Sequence, residues 1–112
     1  MTKYRRGDIV LVWFPNSDLK TYKRRPALVM QRDDLLSGIP QVVLAMITTN
    51  TKRLGHRSRV FVARSSRNRL LHDSVVMTDN LVTVLENGID SVWGRLDDMV
   101  PVDNALRYTL AL

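Results

Sequence analysis

The feature that most constrains this chain is a run of six apolar residues, Ile9-Val10-Leu11-Val12-Trp13-Phe14, held between two turn signals. Gly7-Asp8 stands before it and Pro15-Asn16-Ser17-Asp18 after it. Six residues are too few for a buried helix, and β-branched and aromatic side chains dominate them, so the run predicts a strand covered on both faces. The segment behind it has turn chemistry, with Asp18 placed to bond neighbouring backbone amides as an Asx turn.

A chain built on such runs needs further strands. Lys20, Lys23, Arg24 and Arg25 form a cationic turn that breaks at Pro26 into Ala27-Leu28-Val29-Met30. Proline removes an amide donor and drives the residue before it toward extended geometry, so a strand is expected over 26–31 with Arg25 held at its mouth. A third strand over 41–47 delivers Thr48-Thr49-Asn50-Thr51 at its end, hydroxyl and amide side chains that suit either a phosphate contact or an ordinary turn. Residues 59–63 alternate as a one-sided strand does, 75–77 and 81–85 read as two strands parted by Asp79-Asn80, and 91–96 as a last one. The period then changes: Val102, Ala105, Leu106, Thr109 and Leu110 make an amphipathic helical stripe, with Asp97 or Asp98 as cap and Pro101 in the first turn. Five to seven short strands separated by Gly, Pro and Asn turns argue for a mainly β protein, a small barrel with a C-terminal helix.

The 112 residues fit a single domain over 1–112, and 45% hydrophobic content is enough for a packed core. No stretch approaches the ~20 apolar residues that span a bilayer, and Met1 to Asp8 lacks a signal-peptide apolar region, so a cytoplasmic protein without membrane partners is expected. Cysteine is absent, which excludes a disulfide framework and thiolate metal sites.

Charge is strongly asymmetric. Residues 1–72 carry 15 basic and 4 acidic groups, residues 73–112 carry 2 basic and 7 acidic ones. Seven cations and one histidine, with no carboxylate, fall between Lys52 and Arg69. Lys3, Arg5 and Arg6 extend that basic character at the N-terminus. A surface of this kind attracts polyanions, while the alternative is a solvated basic loop with no partner.

Several chemistries can be set aside. There is no Gly-rich phosphate loop, no HExxH spacing, no GxSxG elbow and no cysteine nucleophile. The carboxylates lie mostly apart from the basic part of the chain, unlike the converging acids of two-metal nucleases. Phosphodiester cleavage would then be metal-free. RNA permits this because its own 2′-hydroxyl is the nucleophile, leaving the protein to remove a proton, stabilise the transition-state charge and protonate the departing 5′-oxygen.

GDIVLVWFPNSD, KRRPALV, a strand ending in ITT, and DSVVMTDNLVTV, followed by VDNAL near the end, resemble in that order the MazF/PemK toxin family of bacterial toxin–antitoxin systems. The resemblance covers nearly the whole chain. It implies an SH3-like, CcdB/PemK-like barrel and a homodimeric endoribonuclease without metal or cofactor. Such an enzyme cuts single-stranded mRNA at short sequences, leaving 2′,3′-cyclic phosphate and 5′-hydroxyl ends. It also implies a cognate antitoxin, partly disordered and often acidic, that blocks the RNA groove.

Carried over by position, Arg25 matches the family's Arg-Pro arginine and Thr48 the threonine at the end of the third strand, together the expected catalytic pair. Arginine's pKa above ~12 makes it a poor base, so Arg25 is expected to stabilise charge and donate. The general base stays open, with Asp18 a candidate by position. Ser17, Lys20, Lys23, Arg24, Thr49, Asn50, Lys52, Arg53, His56 and Arg57 are the expected RNA contacts. Asp73 and Ser74 match the family's strand-opening pair. The chain departs from the pattern where SDLKTYKR replaces a longer Gly-Ser-Glu-Gln loop, so a target sequence does not transfer. Two alternatives stay open: a CcdB-like toxin that binds a protein target such as DNA gyrase without catalysis, and an RNA-binding module that does not cleave. Trp13, Trp93 and Met77 are candidates for an apolar dimer patch and equally for core.

Overall fold

A computed structural model describes residues 3–112 except Asp34, Leu36 and Arg53. Its strands are β1 (Asp8–Pro15), β2 (Tyr22–Val29), β3 (Gln41–Thr48), β4 (Arg59–Val62), β5 (Ser74–Leu85) and β6 (Ile89–Arg95), followed by helix α1 (Val100–Leu110). They form one antiparallel sheet in the order β4-β5-β3-β2-β1-β6.

Strand alternation sends neighbouring residues into two cores. Val10, Val12, Ala27, Val29, Val42, Leu44 and Met46 pack together with Tyr4 and Ile89 on one face. Ile9, Leu28, Met30, Ala45, Ile47 and Val76 pack on the other, under Val102 of α1. This is why the apolar runs are continuous rather than alternating: both faces of the central strands are covered. Beyond Val12 the cover on β1 becomes one-sided: Phe14 still packs against the first core, whereas Trp13 is 48% exposed.

The two ends of the strand order meet through a loop rather than through a β4–β6 ladder. Arg95 N–H donates to the Arg67 carbonyl at 3.0 Å, and a Cβ on Gly94 would stand 2.2 Å from the Asn68 carbonyl oxygen. Only glycine lets the backbone of the loop following β4 lie this close to β6. Buried Asn68 organises that loop: its Oδ1 accepts from the amides of Ser65 and Leu70, and its Nδ2 donates to the Ala63 carbonyl. At the same end of β6, Leu96 N–H donates to the Gly7 carbonyl at 2.8 Å. The result is the expected small barrel with a C-terminal helix.

Three local expectations change. The cations 23–25 are not on a turn, because β2 begins at Tyr22 and carries them in its exposed half. The segments 75–77 and 81–85 belong to one strand, β5, in which Thr78-Asp79-Asn80 bulge out of register instead of ending it. Helix α1 starts after Met99 with no side-chain cap, although Asp98 Oδ1 accepts from Val100 N–H at 3.1 Å. Asp97 is held instead by Arg67 (2.8 Å) and Arg95 (3.5 Å).

Candidate active site

The sheet forks where Pro26 stands. Strand β2 pairs with β1 from Tyr22 to Leu28, but with β3 only at Ala27, Leu28 and Val29. Past Ala27 the chain offers no amide at Pro26 to continue that second ladder. Strand β3 turns to β5 instead, Ile47 pairing with Val76 and Thr48 with Val75. The diverging strands leave a groove of about 420 Å³ lined on one side by Lys23, Arg24, Arg25 and Pro26, and on the other by Ile47, Thr48 and Thr49. A smaller cleft shares Thr48 and Met77 with it and continues past Asn50, Lys52 and Arg59.

Among the described residues, Arg25 and Lys23 have no carboxylate partner. Arg24 is partly engaged, 3.3 Å from Asp90 and stacked over the Trp13 ring at 5.7 Å. Thr48 Oγ1 accepts from Asn50 N–H at 3.1 Å, so the end of β3 is tied into a short turn that orients the hydroxyl. Asn50 Oδ1 accepts in turn from Lys52 N–H at 3.0 Å. A fork of guanidinium donors, an ammonium and two threonine hydroxyls around one concave space can bind a tetrahedral anion and hold charge developing on it.

The other expected site residues are dispersed. Asp18 is not among the groove's lining: its Oδ1 accepts from the amides of Lys20 and Thr21, and both its oxygens meet Thr21 Oγ1. Those amide and hydroxyl hydrogen bonds lower its pKa below the ordinary value, which weakens it as a base. Ser17 and Lys20 belong to the same exposed turn and also stay outside the groove. His56 and Arg57 pack toward α1. The His56 Nδ1 lies 2.7 Å from Ser58 Oγ, its ring meets Tyr108 edge-on, and Arg57 stacks 4.1 Å over the Tyr108 ring. Arg53 lies outside the described residues.

Much of the basic segment is likewise engaged within the molecule. Arg59 holds Asp79, Arg67 holds Asp97, and Arg69 stacks on Trp93. At the N-terminus, Arg6 is spent on the Met30 carbonyl and on Asp103 of α1 rather than on the open surface. Of the groove's lining, only Lys23, Arg24, Arg25, Thr48 and Thr49 were among the expected site residues; Ser74 and Asn80 are polar additions that the fold supplies. The one sequence signal that pointed to Asn80 was the polar break at Asp79-Asn80.

The sequence of PemK-like, MazF-like toxins of type II toxin–antitoxin systems, taken as a family model, matches residues 5–110. The chain belongs to that family. It is 35% identical over 101 residues to endoribonuclease MazF2 of Mycobacterium bovis and to endoribonuclease MazF6 of Mycobacterium tuberculosis, covering 88% of each chain in both cases. Among solved structures, the Mycobacterium tuberculosis toxin MazF-mt6 superposes with a TM-score of 0.75 at 25% identity, over 94% of this chain and 97% of that one. A mycobacterial endoribonuclease in complex with its cognate antitoxin superposes with a TM-score of 0.77 at 22% identity, over 97% and 96%. In this toxin fold the forked groove is the concave cationic site described above.

Proposed function

We propose that the protein is the toxin of a type II toxin–antitoxin pair, a single-domain, metal-independent endoribonuclease that cleaves single-stranded mRNA. The observation that carries this is the Arg25 guanidinium, without a carboxylate partner among the described residues, lining one groove with the Thr48 hydroxyl. Relatives named endoribonuclease support the activity.

In the proposed reaction the ribose 2′-oxygen forms a bond to phosphorus and the P–O5′ bond breaks, giving a 2′,3′-cyclic phosphate and a 5′-hydroxyl. Arg25 and Thr48 donate to the non-bridging oxygens as negative charge gathers on them. Arg25 is also proposed to protonate the departing 5′-oxygen. No carboxylate or imidazole is among the described lining residues, and in the proposed reaction the 2′-hydroxyl proton leaves to water or to the phosphate itself. Lys23, Arg24, Thr49, Asn50 and Lys52 hold the strand on either side of the reacting phosphate.

The test is cleavage of a long mRNA in EDTA with the ends mapped. Arg25→Ala is expected to lower the rate by about 10²-fold or more, the usual cost of losing one transition-state donor. Lys23→Ala is expected to weaken RNA binding and reduce its salt dependence. Parent protein that leaves RNA intact while expression still arrests growth would favour the CcdB-like alternative, a toxin acting on a protein target. We further propose that the toxin works in the cytoplasm as a homodimer and is neutralised by an antitoxin segment whose acidic side chains compete with RNA for the groove.

A further inference from the structure

Strand β5 does not run past β3 in simple register. Ala45 pairs with Leu81, yet the next residue, Met46, pairs with Met77, so Thr78, Asp79 and Asn80 stand out of that ladder. Bulges of this sort re-aim side chains and recur beside active sites. The rest of the molecule holds two of the three residues. Thr78 is fully buried; its amide and Oγ1 both donate to the Ser58 carbonyl, at 3.1 and 2.6 Å, and Oγ1 lies 2.7 Å from Thr109 Oγ1 on α1. Asp79 receives Nε and Nη2 of Arg59 at 2.8 and 3.2 Å. Asn80 is exposed, lines the groove with Arg25 and Thr48, and its side-chain amide has no hydrogen-bond partner among the described residues.

Such an amide differs in kind from the cations around it. It offers donors beside an acceptor, a pattern that a phosphate cannot answer and a base edge can. We propose that Asn80 determines specificity, its amide making a paired donor–acceptor contact with the Watson–Crick edge of one unstacked base next to the phosphate held by Arg25 and Thr48. The inference rests on the endoribonuclease activity proposed above. Thr78 and Asp79 hold the backbone beside Asn80, so the amide meets the base in one orientation and discriminates. Replacing the amide by a carboxylate leaves only acceptors. Those are answered best by the adjacent N1–H and N2–H donors of guanine and repelled by the ring acceptors of adenine and cytosine.

The experiment is digestion of a randomised single-stranded RNA pool by the full chain and by its Asn80→Ala and Asn80→Asp variants, with cleavage ends sequenced. Asn80→Ala is expected to lose about tenfold of the discrimination at one position of the cleaved motif and to keep the preferences elsewhere. Asn80→Asp is expected to enrich guanine at that same position only. Unchanged per-position preferences in both variants, or a uniform loss of rate with the motif intact, would overturn the role for Asn80 while leaving the endoribonuclease in place. An intact pool with the parent protein would overturn both.

Discussion

At the scale of single residues, two positions show how much one side chain decides. Gly94 has backbone oxygens of Asn68 and Arg67 at 2.2 and 2.8 Å from where a Cβ would sit. Neither is a flexible side chain that could swing away, so Gly94→Ala must push the loop following β4 off β6. A loss of about 2–3 kcal/mol is expected in urea unfolding. Trp93 supplies an optical report, since its Nε1–H donates to the Arg69 carbonyl and the Arg69 guanidinium stacks on its ring. A Gly94→Ala protein with parental stability and Trp93 fluorescence would show that this contact does not close the barrel. Asp18 is the contrasting case. Its position in the chain made it a candidate base, but its carboxylate is committed to the turn it starts.

At the scale of elements, the sheet forks on one side and bulges on the other, and the groove lies between. Pro26 withholds the amide that would prolong the β2–β3 ladder, while the bulge at 78–80 brings Asn80 to the opposite wall. The bulge is tied to α1 through the Thr78 and Thr109 hydroxyls. Thr78→Val keeps the shape and removes the hydroxyl, leaving Thr109 with its bond to the Ala105 carbonyl and the Ser58 carbonyl with the Thr78 amide. A destabilisation of about 1–2 kcal/mol is expected by thermal melting, with altered cleavage preferences as the bulge loosens. A variant as stable as the parent would mean that the buried hydroxyl pair adds little to the fold.

At the scale of the whole molecule, charge governs the response to pH and exposed aromatic surface bears on assembly. Asp18, Asp79 and Asp97 all have pKa values below the ordinary carboxylate range. Amide and hydroxyl hydrogen bonds lower that of Asp18 and the Arg67 hydrogen bonds that of Asp97; at Asp79 burial opposes the shift and the Arg59 contacts outweigh it. Folded-state values below the unfolded ones contribute stability that is present above about pH 4 and is lost as pH falls through the folded values. The melting temperature is therefore expected to vary little from about pH 7 to 5 and to fall below about pH 4, with Asp97→Asn blunting the acid limb. An acid limb unchanged in that variant would count against the Arg67–Asp97 pair as a contributor. For assembly, sedimentation equilibrium at micromolar concentration is expected to give twice the 12.9 kDa chain mass. Trp13, 48% exposed on β1, is the candidate patch residue left most open by the fold, whereas Trp93 is half-buried beneath Arg69. A monomer under those conditions would rule the dimer out.

What the sequence determined by itself was the helix, most of the strands and the family, whose resemblance implied Arg25 and Thr48 as a pair. These are written locally: in apolar runs between turn residues, in a 3.6-residue stripe, and in an arginine joined to a proline at a strand's mouth. The tertiary structure decided which polar residues share a space. The basic segment from Lys52 to Arg69 reads as one surface, yet folding turns Arg59, Arg67 and Arg69 to partners at distant positions, Asp79, Asp97 and Trp93. Likewise Asp79-Asn80 reads as a break between two strands, and only the β3 and Ser58 contacts make it a bulge on the groove. Local pattern encodes local geometry, whereas ion pairs, stacking and bulge register depend on contacts between residues far apart in the chain.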